Sequence, residues 1–258
     1  MNFSQLGFGA FVFKTQGIML ALSFFVSAWY YYKSIQKHNF PVDFFVHHFW
    51  RWILMGAFVA RIVTLCLYPE IFETYGWFSF FAFWQGEVNV PIFLLVFLIT
   101  MYFDLRDQQF SFWRWLDLAV EPLLIFLILE NLAAFITGYR YGIATDLPWG
   151  VRYETFGVAE VNPVHPVTLY SAVVYVITLL YYKKEALKNN WKDKVLKGKL
   201  FYRFLLVILF TEGFLFFIRG DIPSIQGTGI SKEFLVFIAV TFLLILGKNL
   251  IVKRSKNI

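Results

Sequence analysis

The chain has 258 residues, 59% hydrophobic, 22% aromatic and 16% charged, with a formal net charge of +6. That composition excludes an ordinary water-soluble domain, and so large an aromatic share suits residues gathered at bilayer interfaces. The basic residues lie in loops between apolar runs, which points to membrane orientation and anionic lipid and away from nucleic acid. The single cysteine, Cys66, excludes an internal disulfide framework, and no Cys/His spacing suggests a metal or any other cofactor. Cys66 sits in an apolar run and reads as a buried packing residue. Lys33 and Lys37 follow the first apolar run where a cleavable signal would need small residues, so no removable leader is expected.

A helix needs about 20 residues to cross the hydrocarbon, and seven segments qualify. In chain order they are roughly Gly17 to Tyr32, Phe44 to Tyr68, Asn89 to Phe103, Leu116 to Thr137, Pro166 to Tyr182, Leu200 to Ile218 and Phe234 to Val252. The third is short and follows Trp77 to Trp84, an aromatic segment expected to lie in the interface. Basic charge alternates between the connections. Lys33 and Lys37, Arg106 and Arg114, seven lysines from Lys183 to Lys199, and Lys248 to Lys256 fall on one side, while Pro69 to Glu87 has none. The positive-inside rule then places the N-terminus outside and the C-terminus in the cytoplasm, which requires an odd number of spans. The expected fold is all-α, a polytopic membrane protein of about seven transmembrane helices forming one domain over 1–258, with no internal repeat.

Within so apolar a chain, charges and amides in the spans carry the functional information. Arg61 lies late in the second span, Glu87 and Asn89 open the third, and Glu121, Glu130 and Asn131 lie in the fourth. Arg140 and His165 border an outer loop, and Glu212 and Arg219 end the sixth. Arginines at this depth suit a phosphate, because a guanidinium holds one bidentately and keeps its charge. Arg61 and Arg219 suit either snorkelling to the interface or headgroup binding. His165, directly before Pro166, fits a helix start as well as a base. Glu121, next to Pro122, reads as structural. Glu130 needs a partner or a proton, which makes it a candidate acid or base.

These residues resemble the bacterial prolipoprotein diacylglyceryl transferases. The likeness rests on Trp115-Leu116-Asp117-Leu118 opening the fourth span, the run Asn131 to Tyr139 closing it, and Tyr141-Gly142, Pro148-Trp149 and Val164-His165-Pro166 through Tyr170-Ser171 following. Upstream, Gln16-Gly17-Ile18-Met19, Ala60-Arg61-Ile62 with Tyr68, and Trp84-Gln85-Gly86 are similar to family segments, as are Phe216 to Asp221 downstream. The similarity runs from about Gln16 to Ser231. It implies seven spans with an outer N-terminus in the bacterial cytoplasmic membrane. The implied reaction moves diacylglyceryl from phosphatidylglycerol to a lipobox cysteine, releasing glycerol phosphate.

The same comparison shows departures. The signature arginine falls on Asn131, its asparagines on Ala134 and Thr137, and the next glutamate on Tyr139. A family tyrosine falls on Gln16, a histidine on Pro91 and a glutamate on Ser171. The sixth-span arginine and glutamate fall on Glu212 and Phe216. Glu130 and Arg140 are charges that the family pattern does not require.

Glu130 and His165 are therefore the candidate catalytic groups, and Arg61, Asn131, Arg140, Tyr170, Glu212 and Arg219 the candidate lipid-binding ones. The expected partners are phosphatidylglycerol or another anionic phospholipid, and prolipoprotein signal peptides. Two other readings are a non-catalytic lipid- or partner-binding protein on the same scaffold, and an ion-coupled transporter using Glu130 and Glu212. The last lacks repeats and broken helices.

Overall fold

The computed structural model describes residues 5–8, 11–69, 72–73, 76–80, 90–154, 158, 160–188 and 198–221, together with 235, 238 and 239. Among them are six α-helices: α1 (Thr15–Lys37), α2 (Val42–Leu67), α3 (Val90–Asp107), α4 (Phe112–Thr137), α5 (Val167–Lys188) and α6 (Lys199–Phe216). Each coincides with one expected span, extended by up to six residues at an end. Such margins are where charged ends continue a helix beyond its apolar stretch. The span expected at Phe234 to Val252 lies outside the described residues apart from isolated positions, as do Glu87, Asn89 and the end of the Trp77 to Trp84 segment. Two helices, α2 and α4, are both long and apolar enough to cross a membrane over an uninterrupted stretch.

The all-α expectation requires one addition. Strands β1 (Gln5–Phe8) and β2 (Phe11–Lys14) pair antiparallel before α1, in register Gln5 to Lys14. A hairpin of this length falls below the window in which hydropathy separates a span from its flanks.

The chain gathers into two compact units, one of Met1–Val42 with Trp113–Ile222 and one of Asp43–Phe112 with Pro223–Ile258. In the first, α1 and α4 run antiparallel. Ser23, Ser27, Tyr31 and Ser34 form a buried stripe on α1 at helical spacing, its serines small enough to admit a close neighbour. Hydrogen bonds fix the pair along its length. Thr137 Oγ1 donates to Gln16 Oε1 at 2.8 Å, Ser27 Oγ to the Pro122 carbonyl at 2.7 Å, and Tyr31 Oη to the Trp115 carbonyl at 3.1 Å. Glu121 accepts from Tyr30 Oη at 2.6 Å and lies 3.5 Å from Lys183 Nζ, in keeping with a structural role. Asp117, only 2% exposed, accepts from the backbone N–H groups of Gly198 and Phe201 and so tethers the start of α6 to α4.

In the second unit, Trp52 of α2 packs against Phe97 of α3, and Phe44 of α2 against Phe110 in the turn after α3. Trp52 Nε1 donates to Asp104 at 2.6 Å, and Arg51 pairs with the same carboxylate. Cys66 is exposed, against the expectation of burial. In lipid, a helix is apolar on its outer face as well as its inner one, so an apolar run does not reveal which side a residue takes. Trp77 and Phe78, in a 3₁₀ turn at Gly76–Phe80, are 77% and 80% exposed, as an interfacial aromatic segment would be.

Candidate functional site

Three connections meet at one end of α4, α5 and α6 and are joined through their backbones. Gly142 N–H donates to the His165 carbonyl, Ile143 N–H to that of Ile218, His165 N–H to that of Ile143, and Gly220 N–H to that of Tyr141. Val164 pairs in turn with Val151. Close approach requires the glycines: a Cβ on Gly142 would lie 2.6 Å from the His165 carbonyl, and one on Gly220 would lie 2.6 Å from the Gly142 carbonyl. This platform draws Arg140, His165 and Arg219, far apart in sequence, to the mouth of one helix group.

Arg140 arrives there through the end of α4. Gly138, at φ 74°, lets its N–H reach the Phe135 carbonyl and the Tyr139 N–H reach that of Ala134, a Schellman closure. Arg140 itself stands at φ 59°, a left-handed conformation uncommon for a residue with a Cβ. The turn aims its side chain back along α4. There Nη2 donates to both carboxylate oxygens of Glu130, at 2.6 and 2.5 Å. Burial works against the Arg140 charge, but the carboxylates of Glu130 and Glu212 outweigh it and hold the guanidinium protonated above its ordinary range. Its Nε–H is buried and has no partner among the described residues.

Glu212, half-buried on α6, accepts from Tyr175 Oη at 2.7 Å and faces Ser171 Oγ at 3.4 Å. It has no ion-pair partner among the described residues. Asn131 is buried and spends an amide N–H on the Leu127 carbonyl of its own helix. His165 Nδ1 lies 3.3 Å from Tyr170 Oη, which accepts from Trp149 Nε1–H at 2.8 Å. Arg219 is held by Asp221 through Nε and Nη2, at 3.0 and 2.7 Å.

Glu130, Asn131, Arg140, His165, Tyr170, Glu212 and Arg219 thus all belong to the first unit. Arg61 belongs to the second; it is fully buried, so it does not snorkel to an interface, and its Nε–H donates to the Ser79 carbonyl at 2.8 Å. The sequence reading missed Tyr175, Trp149 and Asp221 as partners. Tyr175 had a findable signal, since it lies on the same face as Ser171, four residues on.

A family model described as prolipoprotein diacylglyceryl transferase matches residues 4–248, nearly the whole chain. The chain belongs to the prolipoprotein diacylglyceryl transferase family. The chain is similar to phosphatidylglycerol–prolipoprotein diacylglyceryl transferases from several bacteria. That of Tropheryma whipplei is 24% identical over 162 residues, 60% of this chain and 57% of that protein. That of Campylobacter lari is 26% identical over 204 residues, 71% of this chain and 73% of that protein. That of Pasteurella multocida is 30% identical over 129 residues, 49% of this chain and 46% of that protein. The names of these relatives give the diacylglyceryl donor as phosphatidylglycerol and the acceptor as a prolipoprotein. Arg140 of this chain is already paired with Glu130.

Proposed function

We propose that this chain is a multi-pass protein of the bacterial cytoplasmic membrane, a single domain of seven spans with its N-terminus outside. In this reading it moves a diacylglyceryl group from phosphatidylglycerol to the lipobox cysteine of a prolipoprotein. The observation that carries the site assignment is Arg140, whose buried Nε–H remains available to an anion after Nη2 is taken by Glu130. A phosphate oxygen accepting that N–H would anchor the lipid, with Asn131, Tyr170, Glu212 and Arg219 shaping the pocket; Arg61, in the other unit, is a separate lipid-binding candidate. Glu130 or His165 takes the thiol proton; the thiolate forms a C–S bond to the glycerol carbon as that carbon's bond to the phosphate oxygen breaks. The phosphate leaves with the headgroup, its charge met by Arg140. Tyr170 would orient His165 by accepting its Nδ1–H, which leaves Nε2 free to take a proton.

The pairing of Arg140 with Glu130 and of Arg219 with Asp221 favours a second reading, a lipid- or partner-binding protein without chemistry, since both arginines are already compensated. One assay separates the two. Purified protein, phospholipid and a lipobox peptide yield a diacylglyceryl-modified cysteine by mass spectrometry under the first reading. Absence of product, beside an active family member as control, leaves the second. Rescue of cells depleted of their own transferase gives the same division in vivo.

A further inference from the structure

Trp149 is joined to His165 twice, once through backbone and once through side chains. The turn at 147–150 closes with the Gly150 N–H on the Leu147 carbonyl at 2.9 Å. A Cβ on Gly150 would lie 3.0 Å from Pro163 Cβ, so the turn sits tight against a residue two before His165. Directly after the turn, Val151 exchanges both backbone hydrogen bonds with Val164, each at 3.0 Å. The same ladder therefore sets where the indole and the imidazole stand.

The two side chains meet on one oxygen. An indole N–H can only donate, so the direction of the 2.8 Å bond from Trp149 Nε1 to Tyr170 Oη is fixed. The second contact, between His165 Nδ1 and the same Oη, is 3.3 Å long. That is well past the usual reach of an O–H donor, about 2.5–3.0 Å, and close to that of an N–H donor, about 2.7–3.2 Å. The imidazole nitrogen is the better donor across such a gap. Tyr170 Oη then receives two N–H groups, and its own proton turns to the open side of a partly exposed ring.

Which nitrogen of a neutral imidazole keeps the proton is set by the hydrogen bond the ring makes, so the Nδ1–H form needs an acceptor at a fixed place. Among the described residues, only Trp149 and His165 hold Tyr170 Oη. Without the indole N–H, Oη is free to shift and its proton to turn onto Nδ1, which moves the imidazole proton to Nε2.

We infer that Trp149 is a positioning residue: through Tyr170 it keeps the His165 proton on Nδ1 and so leaves Nε2 as the site that takes the thiol proton. The inference rests on the transfer reading above and, within it, chooses His165 over Glu130. Glu130 has both oxygens on Arg140, whereas His165 Nε2 has no hydrogen-bond partner among the described residues. The thiol S–H bond breaks as the Nε2–H bond forms, and the imidazolium passes that proton to the departing phosphate.

The full chain is prepared with isotopically labelled histidine, and the tautomer of His165 is read by NMR in detergent at about pH 8.5, where imidazole is neutral. The His165 signals are those lost in His165→Asn. The parent is expected to hold mostly the Nδ1–H form. Tyr170→Phe should turn His165 to the Nε2–H form, and Trp149→Phe, which keeps an aromatic ring and removes the N–H, should do the same. Trp149 is 55% exposed, so neither Trp149→Phe nor Trp149→Leu opens a hole in the core. In the lipobox-peptide assay both are expected to lower kcat about tenfold with KM unchanged, short of the hundredfold or more that a general base supplies. An Nε2–H majority in the parent, or tautomers in Trp149→Phe and Trp149→Leu like the parent's, overturns the inference. Absence of product in the parent sinks the transfer reading, whereas the tautomers judge Trp149 independently, so the two failures are distinct.

Discussion

Glu130 presents both carboxylate oxygens to a single nitrogen of Arg140, so a charge outside α4 is folded back onto the charge inside it. The carboxylate side chain is 11% exposed and the guanidinium side chain 20%, too little water for either to stand alone. Removing one partner of a buried pair leaves the other uncompensated, at a cost of about 3 kcal/mol or more, whereas removing both is often tolerated. Glu130→Ala should therefore lower thermal stability in detergent by about that amount. A Glu130→Leu, Arg140→Leu double variant should recover much of the loss. Equal stability of Glu130→Ala and the parent, followed by tryptophan fluorescence, would show that the pair does not hold Arg140 in place.

Asp117 does for α6 what a local cap does elsewhere, but from another helix. Its two oxygens accept from Gly198 N–H at 2.7 Å and Phe201 N–H at 2.9 Å, where the helix dipole also favours a negative charge. Asp117→Ala strands both donors in a buried place and should cost about 2 kcal/mol. Asp117→Asn, which keeps one acceptor, should cost less. Denaturation midpoints for the two variants in that order support a capping role; the reverse order contradicts it.

Six of the seven expected segments coincide with helices among the described residues, two of them long and apolar enough to cross a membrane, because a long apolar run favours a helix that satisfies its own backbone. The side each residue takes could not be read from the sequence, as Cys66 shows. The candidate site was legible as a set of charges out of place but not as pairs. Glu130 and Arg140 are ten residues apart, and only the left-handed turn at Gly138 and Arg140 brings them into contact. Asp221 sits in a loop where a charge is ordinary and so carries no signal, whereas Tyr175 shows itself only through its spacing of four from Ser171. Arg61 was read from its position near a helix end, where snorkelling is common, yet the Ser79 carbonyl satisfies it inside the protein.

Glycine positions on the platform and within α6 should respond oppositely to a methyl group. At Gly142 the new Cβ would lie 2.6 Å from both the Cβ and the carbonyl oxygen of His165, so backbone must move. At Gly213 nothing lies within 4 Å, and the residue is inside α6. Gly142→Ala is expected to lose stability by about 1–3 kcal/mol through overpacking. Gly213→Ala should gain roughly 0.5–1 kcal/mol from helix propensity. Thermal midpoints moving in the same direction for both variants would contradict this account of the platform.

His38, just past the end of α1, supplies a pH dependence whose sign follows from its surroundings. Burial lowers its pKa below the ordinary 6.5, the neighbouring Lys37 lowers it further, and Glu121 only partly opposes them. The unfolded chain therefore takes up the proton at a pH where the folded chain still refuses it. Between the lowered value and 6.5 the unfolded state binds more protons, so stability falls as pH drops through that window and is regained as pH rises. Thermal midpoints should decline between about pH 7 and about pH 5, and His38→Gln should flatten part of that decline. A variant as pH-sensitive as the parent would assign the effect to other groups.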